Sequence, residues 1–435
     1  MNKKTKRNLL FGLLTSLLFI TTACGGEQES NAGSGEEGTT VTFLTNNEVN
    51  LEGVQAVADE IKEKHNITTK FEIIPSGGEG ENIIKTRLST GEMTDILNHN
   101  SGSLFKSLRP EEYFLDISDE PYIDKIQESF LETVSVDDEI YGVPFESALA
   151  GGWLYNKKVY EELGLEVPHT WEQLMENNKV IKEAGKIPAV APYEETWTSQ
   201  VVLLADYYNV HSEMPDFAEK FTNNEVKFAD TPLALRGFEK IQELQKAGYY
   251  NDEETSTTYE DGMRMVATGE AAHFPILTFA LTQMAENHPD EMDDVGFFGQ
   301  PGDDADNHGM TLWMPNGIYI NKESENAEAA KTWLEYFMSE EGLATFMSKT
   351  KAIGPSVVEG VELPDDAYEA VKDMTHYVES GKVAPALEFL SPLKGPNLQQ
   401  ITVEVGLDMV PAKEGADKYD RDVERQAQQL GLEGW

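Results

Sequence analysis

Between residues 41 and 97, short β-rich apolar runs alternate with segments of helical period. That alternation restricts the fold of this 435-residue chain more than any other feature. Val41-Thr42-Phe43-Leu44 reads as a strand closed by the polar Thr45-Asn46-Asn47-Glu48. Leu51, Val54, Val57 and Ile61 then recur at helical spacing over residues 51–64. A second strand over 70–74 leads through Pro-Ser-Gly-Gly into a helix near 81–88, and a third strand covers 95–97. This order is the grammar of a parallel α/β sheet. Without a fixed repeat length it continues, with helices predicted at 171–184, 233–247, 327–337 and 367–380 and strands near 189–191, 273–276 and 317–320. A single core stops growing near roughly 250–300 residues, so the length predicts two lobes. In open α/β sheets ligands sit beyond the carboxyl ends of strands, which marks the loops 46–48 and 98–102.

The amino terminus carries an address. Lys3, Lys4, Lys6 and Arg7 precede an apolar run over 9–20, which ends in Thr21-Thr22-Ala23-Cys24-Gly25-Gly26. Basic, apolar, then small residues is the order of a secretory signal, too short to cross a bilayer of about 30 Å comfortably. A cysteine after a small residue and before glycines resembles the lipobox of bacterial lipoproteins, with Thr21 where that pattern prefers Leu. The resemblance implies cleavage before Cys24 and acylation of its sulfur. Residues 1–23 are then a signal peptide, and 24–39, rich in Gly, Ser and Glu, a flexible tether. Cys24 is the only cysteine, which excludes intrachain disulfides and cysteine metal clusters. The eight histidines show no metal-ligand spacing, and there is no P-loop or GxGxxG after a strand, so no metal or cofactor is expected. With 78 acidic and 34 basic residues the formal net charge is −44. Spread through periodic segments, these acids read as a solvated surface suited to salty or alkaline surroundings, and one that repels nucleic acid.

The stretch Asp138-Glu139-Ile140-Tyr141-Gly142-Val143-Pro144-Phe145-Glu146, with Leu154-Tyr155-Asn156-Lys157, Leu163-Gly164-Leu165 and His169-Thr170-Trp171-Glu172-Gln173-Leu174, resembles the family 1 bacterial extracellular solute-binding proteins. These are the maltose-binding-protein-like substrate receptors of carbohydrate ABC importers. Further matches follow in the same order. Gly91-Glu92-Met93-Thr94-Asp95-Ile96 is similar to the family's Gly-x-x-Pro-Asp-Ile, with Thr for Pro. Ala267-Thr268-Gly269-Glu270-Ala271-Ala272 is similar to its Gly-x-Ala-Ala-Met stretch, with His273 for Met. Residues 329–334 and 338–342 resemble its late helix and turn, and Gly354-Pro355 follows. The resemblance covers the chain from about residue 40 to its end.

What the resemblance implies is a two-lobed periplasmic-binding-protein-like fold of type II, with a ligand cleft and about three hinge crossings, placed near Glu146, Asn316 and Ala384. Lobe 1 would be 40–146 with 317–383, and lobe 2 would be 147–316 with 384–435. The implied function is capture of a sugar or oligosaccharide by a monomer, lipid-anchored on the outer side of a Gram-positive-type cell membrane, and its delivery to an ABC permease. Pro144 suits a strand end at a crossing. Thr170 suits a helix N-cap, which assigns Trp171 to packing.

A sugar offers rows of hydroxyls and flat C–H faces, so its site needs amides, carboxylates and aromatic platforms. Glu146 occupies the place after Gly-Val-Pro-Phe where the family has a sugar-contacting glutamate. Asn98, His99 and Asn100 follow the third strand, and Asn46, Asn47 and Glu48 the first, though asparagine is also an ordinary turn former. Trp197, in a polar turn-like segment, and Trp313, before a crossing, are candidate platforms. Phe279 lies where the family carries a stacking Trp, and Asn397 completes the set. The other readings are a binding lipoprotein for a peptide or another non-sugar solute, and a secreted glycoside hydrolase. The hydrolase would need two carboxyl groups about 5–10 Å apart across a cleft. Neither a Gly-x-Ser-x-Gly elbow nor a Cys/His nucleophile set is present, so no catalytic residue is assigned.

Overall fold

A computed structural model describes residues 38–361 and 363–435; the expected signal peptide, Cys24 and the tether up to residue 37 lie outside the described residues. Thirteen strands are found among the described residues. They are β1 (Thr39–Asn46), β2 (Ile67–Ile74), β3 (Ile96–His99), β4 (Ser135–Val136), β5 (Glu139–Ile140), β6 (Gly142–Pro144), β7 (Leu149–Asn156), β8 (Ile187–Ala189), β9 (Ala271–Leu277), β10 (Val295–Gly299), β11 (Met310–Trp313), β12 (Gly317–Ile320) and β13 (Val383–Pro385). Two sheets make two lobes. The first has the order β2-β1-β3-β12-β6; the second has β13-β11-β7-β9-β8, with β10 also pairing with β7.

The first sheet grows from the expected alternation. β1 is parallel to both β2 and β3, and the helix Glu52–His65 between β1 and β2 buries Val54, Val57, Ala58 and Ile61 against them. Its end is set by Asn66, whose left-handed backbone (φ 56°) returns an N–H to the Lys62 carbonyl. The Asp95 of the family-like motif ties this lobe together. Its carboxylate accepts bonds from the Thr42 N–H (2.7 Å), the Thr42 hydroxyl (2.6 Å) and the Ser324 hydroxyl (2.6 Å). Burial alone would push that carboxyl up, but these donors outweigh it and hold it below the usual carboxylate range. Across the sheet Trp333 is fully buried near Phe43 and Phe337 and donates its indole N–H to the Thr69 hydroxyl (3.0 Å).

The second sheet centres on β7, whose two edges carry β9 on one side and β10 then β11 on the other. Trp153 on β7 is fully buried beside Phe298 and His273. The helix Trp171–Glu183 starts with a capping box between Thr170 and Gln173, and Trp171 packs inside with its indole N–H on Glu243 (2.6 Å). Both features match the reading of that motif. The predicted helix over 367–380 is instead two short helices, Glu369–Lys372 and Thr375–Glu379. Asp373 sits at the break, accepting the Phe297 N–H (3.1 Å) and pairing with Lys157 (3.2 Å), so the chain bends to follow β10.

The lobes meet through paired crossings. β6 pairs with β12 in the first sheet, Pro144 opposite Gly317, and the Phe145 N–H continues the ladder onto the Asn316 carbonyl (2.9 Å). Within a few residues the same two chains pair again in the second sheet as β7 and β11, Leu149 opposite Trp313. Two antiparallel neighbours thus pass between the lobes side by side.

Three buried histidines bear on stability. His273 contacts the Pro188 carbonyl through Nδ1 and the Tyr160 hydroxyl through Nε2 (both 2.7 Å), and burial depresses its pKa to about 3. Burial likewise depresses His99 and His308 to about 4. A depressed folded-state pKa leaves stability complete above the unfolded value of about 6.5 and removes it as pH falls toward the folded value. Unfolding free energy is therefore expected to drop between about pH 6.5 and 4, by up to about 1.4 kcal/mol per pH unit for each histidine. Urea titrations across that window check this, and the slope should flatten in His273→Gln.

Candidate functional site

The main concavity is a cleft of about 700 Å³ bounded by the loops after β1 and β3, the crossings and the segment 343–368. A volume near 700 Å³ lies in the upper part of the roughly 300–1,000 Å³ range of small-molecule sites. Four expected ligand residues line it: Asn46, Glu48, Asn100 and Glu146.

Local bonds explain how the loops present them. The Asn46 side chain accepts the Glu48 N–H (2.9 Å), a turn that suits its residue type. Asn47 accepts the Ser76 N–H (3.0 Å), and the Ser76 hydroxyl donates to Glu48 (2.6 Å), so the loops after β1 and β2 are joined at the cleft edge. Glu146 follows Phe145 at the first crossing. It is open to the cleft lumen, yet protein crowds it from the other sides, and this desolvation raises its carboxyl above the usual range. Among the described residues its carboxylate has no hydrogen-bond or ion-pair partner. An unpaired, partly desolvated acceptor at the junction of two lobes is suited to receive hydroxyl donors from a solute.

The other candidates stand elsewhere. Asn98 belongs to β3 and is buried, accepting from the Thr45 hydroxyl (3.0 Å) and donating to the Gly317 carbonyl (3.4 Å). His99 ends the same strand, buried 3.4 Å from Glu81. Asn397 is exposed and its side chain donates to Asp422 (2.7 Å). Trp313 is buried against a separate narrow cavity and donates to Glu388 (2.9 Å). Trp197 and Phe279 are half-buried and come together with Tyr259, at ring separations of 5.3 and 5.7 Å from Trp197. Among the described residues the Tyr259 hydroxyl in that cluster has no hydrogen-bond partner. Phe279 precedes the helix Ala280–Asn287, whose Thr282 lines the cleft, so this aromatic trio stands beside the second lobe's share of the wall.

Asn316 and the lining residues between Leu343 and Tyr368 were not anticipated as cleft wall. The signal available was Gly354-Pro355. A Cβ on Gly354 would lie 1.9 Å from the Ala148 carbonyl oxygen, and the Ala148 N–H donates to the Pro355 carbonyl (3.0 Å). That close backbone approach docks the loop beside the first crossing. Among the described residues, no group of three or more His, Cys, Asp or Glu is placed to hold a metal ion, and no helix is long and apolar enough to cross a membrane.

Known proteins share this architecture. The chain is 22% identical over 391 residues to the multiple sugar-binding protein of Streptococcus mutans, covering 86% of this chain and 89% of that one. The solved structure of RafE from Streptococcus pneumoniae without ligand superposes with a TM-score of 0.77 at 19% identity, covering 90% and 98% of the two chains. RafE in complex with raffinose gives 0.67 at 19% identity, covering 89% and 100%. The model of the bacterial extracellular solute-binding protein family matches residues 46–344, more than half of the sequence. With its two sheets, its paired crossings and its cleft, this chain belongs to the bacterial extracellular solute-binding proteins.

Proposed function

We propose that this protein is the substrate-capturing component of an ABC importer and that its solute is a carbohydrate, more than one ring long, held in the cleft between the lobes. The observation that carries the reading is the unpartnered Glu146 carboxylate at the junction of a cleft also lined by Asn46, Glu48, Asn100 and Asn316. Amides that donate and accept, together with carboxylates that accept, suit dense hydroxyl arrays, and the half-buried aromatic trio around Trp197 lies next to the helix whose Thr282 lines the cleft. The sugar-binding relative and the raffinose-bound neighbour point the same way. In this reading the chain is a monomer without enzymatic activity, held outside the cell by lipid on Cys24, and it hands its solute to the permease. Packing of the helix Glu369–Lys372 on β10 supports lobe boundaries of 40–146 with 317–360 and 147–316 with 368–435, which moves the third crossing upstream of Ala384.

Thermal unfolding of the purified protein against mono- and oligosaccharides, with di- and tripeptides as controls, tests this. A ligand at one hundred times its Kd adds roughly 2.7 kcal/mol to the folded state, a clear rise in Tm. A shift with an oligosaccharide and no turnover of it is the expected result. A shift with a peptide alone would remove the carbohydrate assignment, and cleavage of the sugar would remove the receptor reading.

A further inference from the structure

We propose that the sugar taken by this cleft is acidic, a uronate-type oligosaccharide whose carboxylate seats against Lys349 and Lys351. The inference rests on the carbohydrate reading above and narrows it.

The chain has more than two acids for each base, and 18 of the 30 described lysines and arginines have a carboxylate within 4 Å. Lys64 pairs with Glu341, Lys157 with Glu369 and Asp373, and Arg236 with Glu243. Lys349 and Lys351 both line the cleft, and neither has a carboxylate of the described residues within 4 Å. Their loop is held in place. The Lys349 N–H donates to the Phe346 carbonyl (3.1 Å), the Thr350 hydroxyl to the same oxygen (3.1 Å), and Gly354 abuts Ala148 beyond them. The Lys351 ammonium lies 4.1 Å from the ring centroid of Tyr368, another cleft residue. That contact orients the charge without neutralising it.

The carboxylates of the cleft do not answer these cations. Glu48 is engaged with the Ser76 hydroxyl, and neither it nor Glu146 comes within 4 Å of either ammonium. When a cleft closes over a solute its charges lose water, and an ammonium facing a neutral sugar would then have only uncharged hydroxyl acceptors in exchange. A carboxylate on the sugar supplies the missing partner in a concave site where charge pairs gain strength. The acidic exterior repels anions at long range, so acceptance of an anionic solute has to be built locally, and the two unpaired lysines provide it.

The test is calorimetric titration of the protein with trimers of galacturonate, glucuronate and mannuronate, with their methyl esters, and with neutral trimers. The ester keeps the sugar skeleton and removes its charge. One uronate should bind, its ester should bind about a hundredfold more weakly, and K349Q/K351Q should lower the acid to the level of its ester, about tenfold per lysine, with Tm unchanged. If a neutral trimer binds as tightly as every uronate and K349Q/K351Q changes nothing, the acidic-solute inference fails while the carbohydrate reading stands. If no sugar of either kind binds, both fall.

Discussion

Replacing Asp206 with alanine is expected to lower the unfolding free energy by about 3–5 kcal/mol, among the largest effects any single change outside the aromatic cores should have. Asp206 and Lys240 form an ion pair in the second lobe in which both side chains are almost fully buried. Lys240 also donates to the Pro301 carbonyl (2.7 Å) and lies 5.4 Å from the Trp171 ring centroid, while Asp206 accepts from Asn209 (2.7 Å). Removing the aspartate leaves an ammonium in a dry site with one carbonyl and an aromatic face. The double variant Asp206→Leu/Lys240→Met removes both charges and should recover most of the loss, because a well-packed apolar pair avoids the desolvation penalty. Urea unfolding of the two variants separates these cases. Equal losses would mean that packing, not the stranded charge, sets the effect.

Replacing Glu146 should do the opposite to stability and far more to binding. Glu146→Gln is expected to weaken sugar binding by about 10–100-fold, the range for a hydrogen bond to a charged group. A carboxyl raised above its unfolded value contributes most below that value, and the contribution is lost as pH rises through the folded value. At neutral pH the ionised Glu146 therefore burdens the free protein. The glutamine variant without ligand should melt at the same temperature or slightly higher, and the difference should vanish in acid. A lost Tm together with lost binding would instead assign Glu146 a structural role.

The sequence exposed the architecture well because periodicity reports burial. The helix Ala327–Phe337 and the strand Gly317–Ile320 fall where their patterns put them. Strands such as β6, β10 and β13 are three to five residues long and buried, too short for a period to show. The break at Asp373 was hidden because it depends on partners in β10 and on Lys157, far away in sequence. The site was legible only in part, and the residues say why. Asn46 ends a strand, and Glu48, Asn100 and Glu146 follow strand ends, a rule that sequence can apply. Asn98 and His99 sit two and one positions before Asn100, and the strand runs on far enough to bury them. Lys349 and Lys351 reach the cleft through Gly354 packed on the distant Ala148 carbonyl, a partner that the Gly354-Pro355 pair does not itself name.

The place of β12 between β3 and β6 has a consequence for the order of events in synthesis. Every strand of the first sheet except this one is made before residue 145, but the sheet cannot close until residues 317–320 are available. An amino-terminal lobe that waits for a strand so late in the chain stays incomplete while the nascent chain emerges, and long-range pairing of this kind is slow. Late insertion of a central strand keeps the first lobe open until nearly three quarters of the chain has been made.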